Sequence, residues 1–291
     1  MFCEVAPADP WNELPSRIPC REFRRCVQAC FSVPRLAASW REANAFPHYR
    51  DHAGSGIYDL LGPEAEKTAE WHDGIGKLMA AQAAAEVQQL ILPYIQIAAP
   101  LIAGEPPRYG GSPWIAKALP RRQDRMVLCE LHPRAFLNLR ANLGFDARVK
   151  LLEMDGYAGL KALLPPVERR GLVLIDPPFE AADEFATAAE AIGKAWHKWA
   201  SGIYMLWYPV KDAKAVALFM GNLAQCGVKR ILRLELQIDR PSANRPLARS
   251  GLVIVNPPFR LEEEAKILLP SLAGILGDGK PGFLIDRLTG E

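Results

Sequence analysis

The chain has 291 residues, of which 49% are hydrophobic, and a formal net charge of +2. This length and composition suit one large α/β domain with an insertion and exclude disorder as the default. No apolar run reaches 18 residues and the first 20 residues lack an apolar signal region, so we expect neither a membrane span nor secretion. Six cysteines occur without a CxxC pair, which argues against a zinc site and fits a cytoplasmic protein.

The predicted elements form an alternation of helices and strands. Residues 64–102 are rich in Ala and Glu and lack a strand pattern, so they predict a small helical insertion at about 60–108. Ser112 predicts a helix N-cap, with Pro113 at the first helical position. Further predicted strands cover residues 126–129, 149–153, 171–175, 202–208, 231–238 and 251–255, and further predicted helices cover 133–142, 157–164, 181–199, 213–226 and 262–275. This order predicts a doubly wound, mostly parallel sheet whose last two strands form an antiparallel hairpin at the edge.

Acidic residues stand where three consecutive predicted strands end: Glu130, Asp155 and Asp176. Ligands of a doubly wound sheet bind at the carboxyl ends of its strands, so these carboxylates suit an adenosyl ligand. Glu130 would accept both ribose hydroxyls, and Asp155 would accept the adenine amino group, with Gly156 allowing close approach of the backbone. Each carboxylate taken singly also fits a helix N-cap.

A glycine-rich loop, DHAGSG at residues 51–56, precedes these strands. Backbone N–H groups around Gly54 would contact the methionine portion of an adenosyl cofactor that carries one. His52 would hydrogen-bond the cofactor carboxylate, although a loop histidine without a ligand fits the pattern equally well.

The strand at 171–175 runs into Asp176-Pro177-Pro178-Phe179, the form in which enzymes that methylate an exocyclic amino nitrogen present their target site. Asp176 would accept one N–H of the amino group, and the Pro177 carbonyl, held by fixed proline φ angles, would accept the other. Phe179 offers a face on which the base stacks. The alternative is a strand that simply ends in a proline turn.

A second tetrapeptide of the same form, Asn256-Pro257-Pro258-Phe259, follows the strand at 251–255. Chain order favours Asp176, because the target motif should follow the fourth strand, directly after the two cofactor strands. Asn256 instead ends the last predicted strand and is expected to be structural.

These motifs together resemble the ribosomal RNA large subunit methyltransferase J family. The resemblance rests on DHAGSG (51–56), EAEKTAEW (64–71), GGSPWIA (110–116), CELHP (129–133), MDGY (154–157), LPPVERRGLVLIDPPFE (164–180), GIYMLWYP (202–209) and SGLVIVNPPF (250–259). It covers residues 51–291 as one Rossmann-like class I methyltransferase domain, which implies a seven-stranded sheet.

The resemblance implies S-adenosylmethionine as the cofactor and N6 of one adenine in 23S rRNA as the target. The residues that it implies to touch the cofactor are His52, Ser112, Glu130, Asp155, Gly156 and Asp176, of which Asp176 is also catalytic. Basic clusters at 121–150, 229–233 and 240–249 favour contacts to RNA phosphates. We expect no metal and a monomer.

Two other amino-methyltransferases are alternatives. An enzyme acting on DNA adenine usually carries a sequence-reading domain, for which this chain has little room. An enzyme acting on protein glutamine tends to carry NPPY, and Asp176 argues against it.

Residues 1–50 depart from the family, whose members begin with a Tyr-Arg-His…His-Ala-Gly-Asn…Lys-His segment. Codons for residues 12–30 can be chosen that, read one nucleotide later, encode MNYRHAFHAGNFADVFKHA, which resembles that segment. We therefore hypothesise that about residues 1–50 are translated out of frame, with the frame restored just before Asp51. The predicted first strand, 45–50, contains Pro47, which removes a ladder donor from a central strand. A non-catalytic relic is therefore a further alternative.

Overall fold

The computed structural model describes residues 48–62, 71–119, 121–167, 170–240 and 247–290. Its strands are β1 (His48–Arg50), β2 (Ile57–Asp59), β3 (Arg108–Gly110), β4 (Met126–Cys129), β5 (Val149–Leu152), β6 (Leu172–Ile175), β7 (Ile203–Pro209), β8 (Ile231–Gln237), β9 (Arg249–Val255) and β10 (Gly282–Thr289). Its helices are α1 (Lys77–Ala80), which continues a π-helical turn at His72–Gly76, α2 (Ala85–Ile102), α3 (Ser112–Ala118), α4 (Pro133–Leu143), α5 (Gly156–Leu163), α6 (Glu184–Lys198), α7 (Ala213–Gln225) and α8 (Leu261–Leu276). The segment 1–47, on which most of the shifted-frame hypothesis falls, lies outside the described residues.

Eight strands form the main sheet in the order β10-β8-β9-β7-β6-β1-β4-β5. The strands from β5 to β7 in this order are parallel. β9 runs antiparallel between β7 and β8, and β10 pairs antiparallel with β8. The direction of winding reverses between β1 and β6, since β4 and β5 lie on one side of β1 while β6 and β7 lie on the other. The predicted Rossmann-like α/β fold is confirmed, and the reversal defines the crevice in which such sheets bind ligands.

Apolar side chains of successive sheet residues point to opposite faces and are covered by helices on both. On one face Leu172 and Leu174 of β6 share a core with α8 and the insertion helix α2. On the other face Val173 and Ile175 pack in a core with α6 and α7. A smaller cluster joins Leu128 of β4 to α4. The strands near the reversal are thereby packed against helices on both faces.

The insertion between β1 and β4 contains the short antiparallel pair of β2 and β3, with α1 and α2 between them in sequence. Tyr109 of β3 and Tyr94 of α2 are buried, and their hydroxyl oxygens lie 2.6 Å apart. The glycine-rich loop leads into β2 and α3 follows β3, so both lie at the same end of this pair, where Ile57 is paired with Gly110. None of the helices in the described part of the chain has the length and hydropathy that a bilayer crossing requires.

Two details of the predicted sheet were wrong. The sheet has eight strands rather than seven, because Gly282–Thr289 adds β10 after α8. In addition, β8 is an interior strand rather than an edge strand, since it lies between β9 and β10. Two of the charged residues of β8, Arg233 and Glu235, form an ion pair with each other within the sheet.

Candidate active site

Four carboxylates gather at the carboxyl edge of the parallel strands. Asp51 directly follows β1, Glu130 follows β4, and Asp176 follows β6. Asp155 lies shortly after β5, at the start of α5. The structure therefore brings the three predicted carboxylates to one edge and adds Asp51 to them.

Glu130 fastens the glycine-rich loop to the end of β4. Its Oε2 atom accepts a hydrogen bond from the Gly54 N–H at 2.6 Å, and its Oε1 atom accepts one from the His132 N–H at 2.9 Å. Gly54 has φ of 67°, and a Cβ there would lie 2.5 Å from the Tyr58 hydroxyl oxygen. A carboxylate has about four lone-pair sites, so Glu130 keeps acceptor capacity for ribose hydroxyls.

Ser112 lies beside this loop. The Gly111 N–H donates to the Gly56 carbonyl at 2.8 Å, which holds the start of α3 against the glycine-rich loop. The predicted N-cap was wrong by one residue: Gly111 is the N-cap, and Ser112 is the first helical residue, followed by Pro113. The Ser112 side chain is thus not used as a cap.

Asp51 is fully buried and ties the tips of β1 and β6 together. Its Oδ1 atom accepts hydrogen bonds from the backbone N–H groups of His52 at 2.6 Å and Asp176 at 2.8 Å. Sequence reasoning did not assign Asp51 a role. Its position as the first residue after β1, in line with Glu130 and Asp176, was the signal that would have found it.

His52 is half-buried among acidic groups. Its Nδ1 atom lies 3.0 Å from Asp51 Oδ2, and the Tyr157 ring meets its ring edge-on with centroids 5.7 Å apart. Burial lowers the pKa of His52, but Asp51, Glu130 and Glu184 together raise it further than burial lowers it. The pKa of His52 is therefore raised above its ordinary value of 6.5.

Asp155 and Gly156 begin α5 next to these groups. Asp155 Oδ1 accepts a hydrogen bond from the Ala158 N–H at 2.8 Å, so Asp155 is the N-cap of α5. This is the alternative role that its sequence position also fitted. A Cβ on Gly156 would lie 2.6 Å from the Asp51 Cβ, which explains the glycine at this close approach. The Tyr49 hydroxyl donates to the Gly156 carbonyl at 2.6 Å and fixes α5 against β1.

Asp176 occupies the switch point between β1 and β6. It is 8% exposed, and its Oδ2 atom accepts from Arg50 Nη2 at 2.7 Å. Pro177 is buried, whereas Phe179 is half-buried with φ of 55°, a conformation that costs a bulky residue energy. The Phe179 ring packs on Phe185 and Trp207, with centroids 4.9 and 5.8 Å away.

The second Pro-Pro motif lies elsewhere. Because β9 is antiparallel to β7, Asn256 stands at the opposite edge of the sheet, near the start of β7. Its side-chain amide donates to the Ala200 and Gly202 carbonyls, both at 2.8 Å. Asn256 therefore closes a turn of the fold at a distance from the residues gathered at the carboxyl edge.

Several basic residues of the predicted phosphate clusters are engaged in local ion pairs. Arg121 pairs with Asp124 and Arg148 with Asp146, in turns that precede β4 and β5. These turns lie at the amino edge, opposite the site. Within the described residues, no group of three or more His, Cys, Asp and Glu side chains is arranged to hold a metal ion.

The family model described as "Ribosomal RNA large subunit methyltransferase D, RlmJ" matches residues 43–287. Ribosomal RNA large subunit methyltransferase J of Haemophilus influenzae (strain ATCC 51907 / DSM 11121 / KW20 / Rd) is 38% identical over 243 residues, covering 82% of this chain and 85% of the relative. The protein of the same name from Escherichia coli (strain K12) is 37% identical over 233 residues, covering 78% and 80%.

Among solved structures, protein LPL1258 from Legionella pneumophila str. Philadelphia 1 superposes with a TM-score of 0.82 at 30% sequence identity, covering 91% of this chain and 97% of that one. The similarity thus extends over sequence and fold alike. The chain belongs to the ribosomal RNA large subunit methyltransferase J family of S-adenosylmethionine-dependent methyltransferases, as its motifs predicted.

Proposed function

We propose that the protein transfers a methyl group from S-adenosylmethionine to N6 of an adenine in 23S rRNA, with Asp176 as the catalytic residue. The observation that carries this proposal is the position of Asp176, buried at the switch point and hydrogen-bonded through its backbone to Asp51, beside the glycine-rich loop. Family membership supports the rRNA substrate. We expect a monomer that acts in the cytoplasm without a metal.

The residues at the carboxyl edge fit the cofactor. Gly54 and Gly56 have φ of 67° and 78°, so their loop presents backbone where a side chain would stand in the way. Glu130 and Asp155 offer acceptors for the ribose and the adenine amino group, and Gly156 lets the backbone approach. His52 and Ser112 provide donors next to the loop. When bound, S-adenosylmethionine supplies an electrophilic methyl group on a sulfonium.

Asp176, Pro177 and Phe179 bind the target base. The adenine leaves its stack and enters the site, with its ring on Phe179. Asp176 and the Pro177 carbonyl accept the two N6 hydrogens, which directs the nitrogen lone pair away from both acceptors and toward the methyl group. The carboxylate would also stabilise the positive charge that develops on the amine as the N–C bond forms and the S–C bond breaks, and it would accept the proton that the methylated amine then loses.

The test is methyl transfer from tritiated S-adenosylmethionine to rRNA of a strain that lacks the enzyme, followed by nucleoside analysis. We expect N6-methyladenine with the native chain and a loss of about a hundredfold or more with Asp176→Ala, because a preorganised charge at the reaction centre is removed. Asn256→Ala removes the matched residue of the other motif and should keep the activity in its folded fraction. Normal turnover by a folded Asp176→Ala protein would refute the assignment.

We further propose that the residues before Asp51 derive from a shifted reading frame. One observation supports this: the central strand β1 buries His48 and Arg50, which are poor residues for that position, although the family match extends back to residue 43. Nucleotide sequencing decides it. The idea fails if the locus does not encode the family-like peptide in the adjacent frame.

A further inference from the structure

Arg50 is an unusual residue in the centre of the sheet. It ends β1, pairs in register with Leu128 of β4 and Leu174 of β6, and is 4% exposed. Guanidinium groups remain charged at all ordinary pH values and are almost never fully buried unless paired. A permanent positive charge therefore stands at the floor of the candidate active site.

The contacts of Arg50 direct this charge to the catalytic carboxylate. Its Nη2 atom lies 2.7 Å from Asp176 Oδ2, and its Nε atom donates to the His52 carbonyl at 3.2 Å. The side chain thereby bridges the loops that follow β1 and β6, across the switch point. The pair of Arg50 and Asp176 has no net charge.

This neutrality matters because the cofactor and its product differ in charge. The sulfonium of S-adenosylmethionine is positive, whereas the thioether of S-adenosylhomocysteine is neutral. A lone Asp176 carboxylate would attract the sulfonium and not the thioether, and charges act over several ångströms in a partly buried site. An adjacent guanidinium weakens that preference.

We propose that Arg50 sets the charge discrimination of the cofactor site, lowering the affinity for S-adenosylmethionine relative to S-adenosylhomocysteine by partly offsetting the charge of Asp176. This inference rests on the proposed function, because that function places the sulfonium next to Asp176. It assigns Arg50 an effect on cofactor specificity in this chain, which holds whether or not its codon lies in the reading frame of the family.

The test is calorimetric titration of the full chain with each of the two ligands at one pH and ionic strength. The measured quantity is the dissociation constant of S-adenosylhomocysteine divided by that of S-adenosylmethionine. Arg50→Met leaves Asp176 with its negative charge and should raise this ratio about tenfold. Asp176→Asn leaves Arg50 with its positive charge and should lower the ratio below the native value.

Two controls complete the series. Arg50→Met combined with Asp176→Asn removes both charges and should return the ratio to about the native value. Arg122→Met removes an exposed arginine of the turn before β4, at the opposite edge, and should leave the ratio unchanged. A folded Arg50→Met protein with the native ratio would overturn the inference.

Removing one partner of a buried ion pair can prevent folding. If Arg50→Met does not fold, the comparison of Asp176→Asn with the double variant decides, because the two differ only at position 50. Equal ratios in that comparison would also overturn the inference. Methyl transfer is measured separately from ligand binding. Normal turnover by Asp176→Asn counts against the catalytic assignment, whereas a ligand ratio that does not depend on position 50 counts against the inference on Arg50.

Discussion

The chain contains two Pro-Pro tetrapeptides of the same form, Asp176–Phe179 and Asn256–Phe259, and the sheet places them at opposite edges. The first follows a parallel strand and meets the glycine-rich loop, with its acidic side chain buried against Arg50. The second follows an antiparallel strand. Its Asn256 amide donates hydrogen bonds to two backbone carbonyls, and Phe259 is 95% exposed. Strand direction, rather than the tetrapeptide itself, decides which motif can serve as a site.

The sharpest way to test this contrast is to give the first motif the residue of the second. Asp176→Asn keeps an oxygen acceptor for the amino group but loses the charge that stabilises the developing cation. We expect methyl transfer to fall by about a hundredfold while the fold is retained. Single-turnover kinetics on 23S rRNA measure it, and unchanged rates would mean that the charge of Asp176 plays no part.

The reverse exchange, Asn256→Asp, should affect stability instead of chemistry. A carboxylate cannot donate to the Ala200 and Gly202 carbonyls, so two hydrogen bonds are lost. We expect the free energy of unfolding to fall by about 1–3 kcal/mol. Urea denaturation measures this change, and a loss of turnover in the folded protein would contradict a purely structural role.

The two phenylalanines form a matched pair. Phe179→Ala removes the proposed stacking face and should raise KM for rRNA about tenfold, since base–aromatic stacking contributes about 1–3 kcal/mol per base. Phe259→Ala removes a side chain of the same size at the other edge and should leave KM as it is. Steady-state kinetics with both variants give the comparison, and equal KM values would remove Phe179 from the target site.

The smallest expected effect is the pH response of the carboxyl edge. The pKa of His52 is raised above 6.5. Below pH 6.5 the attraction between its imidazolium and Asp51 therefore contributes in full to the free energy of unfolding. This contribution is lost as pH rises through the raised pKa. If the imidazolium holds the cofactor carboxylate, cofactor affinity falls severalfold over the same window. Titration calorimetry at several pH values tests this, and His52→Gln should flatten the profile.

Much of this contrast could be predicted from the sequence. The apolar runs of β4 to β9 and the helical periodicity between them gave the order of the elements, and chain order alone favoured Asp176 over Asn256. Glu130 and Asp155 were predicted as site residues because each follows a strand. These features are local, so a single sequence carries them.

What the sequence could not show depends on register. The Asp51 carboxylate reaches the Asp176 N–H, and Arg50 reaches the Asp176 side chain, only because β1 lies directly beside β6. These residues are more than 120 positions apart in the chain. β10 escaped prediction for a different reason: Asp286 and Arg287 interrupt its apolar pattern, and Arg287 pairs with Glu262 of α8.

Strand β10 covers the edge of β8. β10 pairs with β8 over almost its full length and satisfies a row of backbone N–H and carbonyl groups that would otherwise face water. Bare strand edges of this kind recruit strands from other molecules, and charged side chains such as Asp286 and Arg287 discourage such pairing at the outer edge. A chain shortened after α8 would therefore leave β8 as an unpaired edge strand and would self-associate. Every residue proposed to bind the cofactor or the adenine would still be present.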